Sequence, residues 1–128
     1  MTHRMAYANS YLESAVLGAT RVELVRILYR SAIEAVVSAR RNLKAGEIRE
    51  RSRQITKAWE ILAELSRSLD RMQGGELSRS LGELYAYMQN RLLEANSKQS
   101  EEPLVDVERL LNTLAEAWNI LPAVDCTY

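Results

Sequence analysis

Four stretches of this chain carry apolar residues at alternating three- and four-residue steps, and three of them end at a glycine or proline. That period matches the 3.6-residue turn of an α-helix, so each stretch presents one apolar stripe. The first stripe is Val22, Val25, Tyr29, Ala32, Val36, Ala39 and Leu43, and it closes at Ala45-Gly46. Thr20 to Glu23 has the spacing of a capping box at its start, and Gly46 suits a left-handed C-terminal turn. The second stripe, Ile48, Ile55, Ala58, Trp59, Leu62, Leu65, Leu69 and Met72, stops at Gly74-Gly75. The third is Leu77, Leu81, Leu84, Tyr85, Met88, Leu92 and Ala95. A polar loop follows, and Pro103 then fits the first turn of a fourth helix, where its missing N–H is not needed. That helix carries Val107, Leu110, Leu111, Leu114, Ala115, Trp118 and Leu121, and Pro122 stops it.

The spacing therefore predicts helices at about 21–44, 47–72, 76–96 and 103–121. Connections this short favour antiparallel neighbours. The expected fold is all-α: an antiparallel up-down-up-down four-helix bundle, one domain over residues 1–128. Residues 6–17 precede it as a short N-terminal helix or strap holding Tyr7, Tyr11, Leu12, Val16 and Leu17. Composition agrees, because only 5 Gly and 2 Pro are present among 128 residues, too few for a turn-rich all-β fold.

Charge and chemistry narrow the function. Seventeen basic and 17 acidic residues balance, without the basic excess that draws a protein to nucleic acid or to an anionic membrane surface. No run of about 20 apolar residues is present to span a bilayer, and the N-terminus lacks a secretory signal pattern. One cysteine, Cys126, makes no internal disulfide, as expected for a reducing cytoplasm. His3 is the single histidine, so neither a zinc site nor a Cys–His nucleophile is supported. The expectation is a protein that is not an enzyme and holds no metal or cofactor.

What remains is the apolar residues that a bundle does not need. Leu24 and Ile27 project about 140–160° from the centre of the first stripe if each residue turns about 100°. Tyr87 and Leu93 fall off the third stripe, and Ile120 off the fourth. Isolated surface apolar residues are common. The strap packing over Leu24 and Ile27 would equally explain them, and so would a groove for a partner helix. Trp59 and Trp118 read as core, Tyr29 and Tyr85 as core with hydroxyls reaching a polar rim, and Arg49, Arg51 and Arg53 as a solvated face. Tyr7 and Tyr11 either pin the strap or meet a ligand.

One block is specific in combination: Leu69-Asp70, Gly74-Gly75-Glu76, Leu84-Tyr85-Ala86-Tyr87-Met88, Arg91-Leu92 and Ala95-Asn96. With Tyr11, Val16-Leu17, Glu23-Leu24, Leu28-Tyr29 and Trp118, it resembles the flagellar secretion chaperone family, FliS, over about residues 6–120. The resemblance implies a cytoplasmic helical bundle that binds the disordered C-terminal segment of flagellin. Binding would prevent premature polymerisation and present the subunit to the export apparatus, with export-gate components as further partners. It makes Tyr7, Tyr11, Val16, Leu24, Ile27, Tyr87 and Leu93 the candidate client contacts, with no nucleic acid, no membrane insertion and a monomer or weak homodimer expected. The competing reading is a helical oligomerisation or adaptor module with a different protein client, its outer apolar residues forming a symmetric contact.

Overall fold

The computed structural model describes residues 21–72 and 75–120. Four helices make up nearly all of this: α1 (Arg21–Ala45), α2 (Ile48–Met72), α3 (Gly75–Lys98) and α4 (Glu102–Ile120). No strand is present among the described residues. The expected strap at 6–17, with Tyr7, Tyr11 and Val16, lies outside the described residues, as do the Thr20 cap, His3 and Cys126. Of α2 and α4, the side chains of Asp70, Arg71, Met72 and Ile120 also lie outside the description.

The α1–α2 turn shows why the helices end where they do. Gly46 has φ 74°, the left-handed conformation that costs a residue with a Cβ more than it costs glycine. Its N–H donates to the Leu43 carbonyl at 3.2 Å, and the Glu47 N–H donates to the Asn42 carbonyl at 2.9 Å. These two bonds are a Schellman closure, which satisfies carbonyls the helix leaves without partners. The Asn42 amide also donates to the Glu47 carboxylate at 3.0 Å, spanning the turn with a polar bond. The α3–α4 joint uses the same device without glycine. Gln99 takes φ 51°, and the Ser100 N–H donates to the Ala95 carbonyl at 3.1 Å. That closure carries α3 two residues beyond the end expected at Asn96.

The helices pack in a ring, α1 on α2 and α4, α2 on α3, and α3 on α4, as the up-down-up-down reading requires. The core runs through the predicted stripes: Val25, Ala32, Val36 and Ala39 from α1, Ile55, Ala58, Leu62, Leu65 and Leu69 from α2, and Tyr85, Met88, Leu92 and Ala95 from α3. From α4 come Leu104, Val107 and Leu111, a set that starts one turn earlier than expected. Leu110, Leu114, Ala115 and Trp118 pack against this core but are only partly buried, as is Trp59 on α2. The deepest packing of α4 is thus in its first half.

Three expectations need correction. Ile48 and Leu77 belong by period to core stripes yet are 58% and 67% exposed. Each stands in the first turn of its helix, at an end of the bundle, where a neighbour covers it least. Arg51 is not on a solvated face: it is 5% exposed. It sits four residues before Ile55, so the core stripe of α2 begins with an arginine. Finally, the hydroxyls of Tyr29 and Tyr85 reach no polar rim. They meet each other in the interior at 2.6 Å, joining α1 to α3 across the bundle.

Candidate functional site

The candidate contacts separate into places with different surroundings. Leu24 and Ile27, expected on a wet face of α1, are both half-buried, and Leu24 packs against the core. They lie near the N-terminal end of α1, whereas Leu93 lies near the C-terminal end of α3. In an antiparallel bundle these positions are separated along the axis by roughly 20–25 Å, from the 1.5 Å rise per residue. Tyr87 and Leu93 are 46% and 53% exposed. They are six residues apart on α3, so they face different neighbours: Tyr87 toward α4, Leu93 toward α2. The structure therefore does not gather these four residues into one pocket; they mark separate outer surfaces.

The α3–α4 surface is polar and tightly bonded. The Tyr87 hydroxyl donates to Asp106 Oδ2 at 2.6 Å, and Arg91 Nε donates to the same oxygen at 3.1 Å. Arg109 Nη2 donates to Oδ1 at 2.6 Å. The Tyr87 hydroxyl beside it, with Arg91 and Arg109, holds the Asp106 carboxyl below the usual range, while the carboxylate pushes the Tyr87 hydroxyl up. Val105, next in sequence to Asp106, is 41% exposed. A similar arrangement joins α1 to α4, where Arg40 donates to Glu101 at 2.9 Å and to Glu108 at 2.7 Å. Arg40, with Lys44 at 3.4 Å, holds the Glu101 carboxyl below its ordinary value. In both clusters α4 or its entry supplies the carboxylates that pair across helices, and α1 or α3 supplies the cations.

The α2–α3 surface is organised by Asn96. Its Oδ1 accepts from Arg51 Nε at 3.0 Å and from Ser52 Oγ at 3.2 Å, and its carbonyl accepts from Arg51 Nη2 at 3.4 Å. One turn of helix to either side of this pairing lie the exposed Ile48 and Leu93. Gln89 Nε2 donates to the Trp59 carbonyl at 3.1 Å farther along the same seam. A shallow open concavity beside it is lined by Ile48, Arg49, Ser52, Arg53 and Thr56. Sequence reasoning found Leu93 here but missed Ile48, which its period had assigned to the core.

At the other end, the Trp118 ring packs 6.3 Å from Tyr29, and Arg26 Nη2 donates to the Trp118 carbonyl at 3.1 Å. Arg26 thereby supplies a cation to the C-terminal turn of α4, where the helix dipole favours one.

These surfaces offer shape and charge for binding. Among the described residues no three His, Cys, Asp or Glu side chains converge to hold a metal ion, and no helix is long and apolar enough to cross a membrane.

The comparisons point one way. The model of the family described as Flagellar protein FliS matches residues 2–123. The flagellar secretion chaperone FliS of Salmonella typhimurium is 40% identical over 114 residues, covering 88% of this chain and 84% of that protein. The protein of the same name from Escherichia coli is 34% identical over 114 residues, with the same coverage. That of Bacillus subtilis is 31% identical over 109 residues, covering 85% of this chain and 80% of the relative. A four-helix bundle, the Gly-Gly-Glu to Ala-Asn block and a family match over nearly the whole length lead to one conclusion: the chain belongs to the FliS family of flagellar proteins.

Proposed function

We propose that this protein is a cytoplasmic export chaperone. It binds the disordered C-terminal region of flagellin, keeps it from polymerising prematurely and delivers it to the flagellar export apparatus. The observation that carries this reading is the set of large apolar side chains left open on outer faces of the bundle, Ile48, Tyr87, Leu93 and Val105. Open apolar positions along helix seams suit an amphipathic segment that folds as it docks. A disordered client that wraps the bundle covers several separate surfaces at once, at a low affinity per unit area. That also accounts for candidate contacts that do not share a pocket. Tyr7, Tyr11 and Val16 join Leu24, Ile27, Tyr87 and Leu93 in this proposal, and export-gate components are the further partners.

The test is calorimetric titration of the full chain with the C-terminal segment of flagellin from the same organism. One-to-one binding, a negative heat-capacity change and a gain of helical circular dichroism are expected. Leu93→Asp, at an exposed position, should weaken binding without moving the melting temperature. Leu24→Asp serves less well, because Leu24 packs on the core and its loss would reduce folding and binding together. No heat and no helix gain, with both components in solution, would overturn the proposal.

A further inference from the structure

We infer that α4 is a latch: it opens from α1 and α3 as one unit while the rest of the bundle stays folded, and its charge pairs set how readily it opens. The inference is independent of the chaperone reading. The first observation is where charge lies. The chain is neutral, yet α1 carries six basic and two acidic residues, and α4 one basic and four acidic. Among the described residues, the ion pairs that cross between helices follow this division. Arg40 of α1 bonds Glu101 and Glu108, Lys44 bonds Glu101, and Arg91 of α3 bonds Asp106. Each joins a cation on α1 or α3 to a carboxylate on α4 or its entry. The α2–α3 seam is held differently, by the neutral acceptors Asn96 and the Trp59 carbonyl. No carboxylate takes part in those bonds. Salt and acid therefore act on the attachment of α4 and spare that seam.

The second observation is packing. The buried apolar side chains of α4, Leu104, Val107 and Leu111, lie in its first half. Leu110, Leu114, Ala115 and Trp118 pack on the core but stay partly exposed. α2, by contrast, buries apolar side chains from Ile55 to Leu69. In the second half of α4, Arg26 reaches the Trp118 carbonyl, but its own Nε is buried without a partner. An element with fewer buried apolar side chains opens before its neighbours. The carboxyls name the trigger. Glu101 faces Arg40 and Lys44 of α1, and Glu108 faces Arg40. Asp106 faces Tyr87 and Arg91 of α3 and Arg109 of its own helix, and Arg91 is shared with Glu94 of α3. Glu101 and Asp106 are held below the usual carboxylate range, so closed α4 binds fewer protons than open α4. Closure is fully supported at neutral pH and weakens as pH falls through about 4. Opening uncovers the Tyr29 ring, against which Trp118 packs.

Two tryptophans, Trp59 on α2 and Trp118 on α4, report the two parts separately. In the full chain, Trp59→Phe leaves the emission of Trp118, and Trp118→Phe leaves that of Trp59. On acid titration the Trp118 emission should change at a pH about 0.5 unit or more above the Trp59 emission. Hydrogen exchange followed by mass spectrometry at neutral pH tests the wild type itself. The amides of α4 should exchange as one group, about tenfold or more faster than those around Leu62 in α2. Raising NaCl from about 50 to about 500 mM should speed α4 by about three- to tenfold and leave α2 within about twofold. Asp106→Asn/Glu108→Gln should show the faster α4 exchange already at low salt and respond little to more. Glu64→Gln/Glu83→Gln, the same charge change on α2 and α3, should match wild type. Amides of α4 and α2 exchanging at one rate, or the two emissions changing together, would mean one cooperative bundle and overturn the latch. Faster α4 exchange that neither salt nor Asp106→Asn/Glu108→Gln moves would overturn the role of the charge pairs.

Discussion

The paired hydroxyls of Tyr29 and Tyr85 allow a quantitative test of the packing. The two residues are 0% and 1% exposed, with ring centroids 6.5 Å apart and hydroxyl oxygens at 2.6 Å. The two hydroxyls are bonded to each other, and the Trp118 side chain also hydrogen-bonds that of Tyr29, in a site without access to bulk water. Tyr29→Phe removes one oxygen and leaves the Tyr85 hydroxyl buried and unpaired, a loss of about 1–3 kcal/mol. Tyr85→Phe leaves the Tyr29 hydroxyl its bond with the Trp118 side chain and should cost about 1 kcal/mol. Removing both hydroxyls removes their bond and its desolvation cost together, so the double variant should be no less stable than Tyr29→Phe. The cycle then yields an interaction of at least about 1 kcal/mol. Urea unfolding followed by circular dichroism measures it, provided the slope m is the same in all four proteins. On heating, each single should melt roughly 3–10 °C lower for a domain of this size. Two single variants within about 0.5 kcal/mol of wild type, or a double equal to the sum of the singles, would refute the account. Burial raises both phenol pKa values. Above pH 10 the unfolded chain releases protons that the folded hydroxyls keep, so stability is full below pH 10 and falls as pH rises beyond it. The double Phe variant should lose less stability than wild type between pH 10 and 12.

Asn96→Ala strips a buried arginine and Ser52 of their shared acceptor, and should cost about 2 kcal/mol in urea unfolding, as expected for a bond to a charged group. Gln99→Gly relieves a left-handed residue at the α3–α4 joint and should raise stability by up to about 1 kcal/mol with no change in helical content. Gly46→Ala should have the opposite sign, through the backbone alone, since no atom lies within 4 Å of the added methyl. The depressed carboxyls of Asp106 and Glu101 contribute stability that is present at neutral pH and is lost as pH falls through and below about 4. Asp106→Asn should therefore narrow the difference between urea midpoints measured at pH 7 and pH 3.5.

The helices and their order are local properties, and they were legible in the sequence for that reason. Stripe period, Gly46 and Pro103 act within a few residues of themselves, so the four helices lie within two residues of their expected ends, where described. The core faces followed from the same period, because a helix can bury only one side. The period of α2 also held the clue to Arg51, four residues before Ile55, once position in the stripe is weighed above residue type.

Tertiary packing decided everything that depends on which helix stands opposite. Nothing in either local segment says that the Tyr29 hydroxyl meets Tyr85, 56 residues away, or that Asn96 accepts from Arg51 and Ser52. Ile48 and Leu77 show the limit of periodicity most plainly. A stripe states which face of a helix turns inward, but burial requires a neighbour at that height, and at the ends of the bundle coverage runs out. The same geometry parts Leu24 from Leu93 and sets Ile48 beside the seam that Leu93 flanks. An amphipathic pattern is written along one helix, whereas a binding surface is shared between two, and only the register of α2 against α3 brings its halves together.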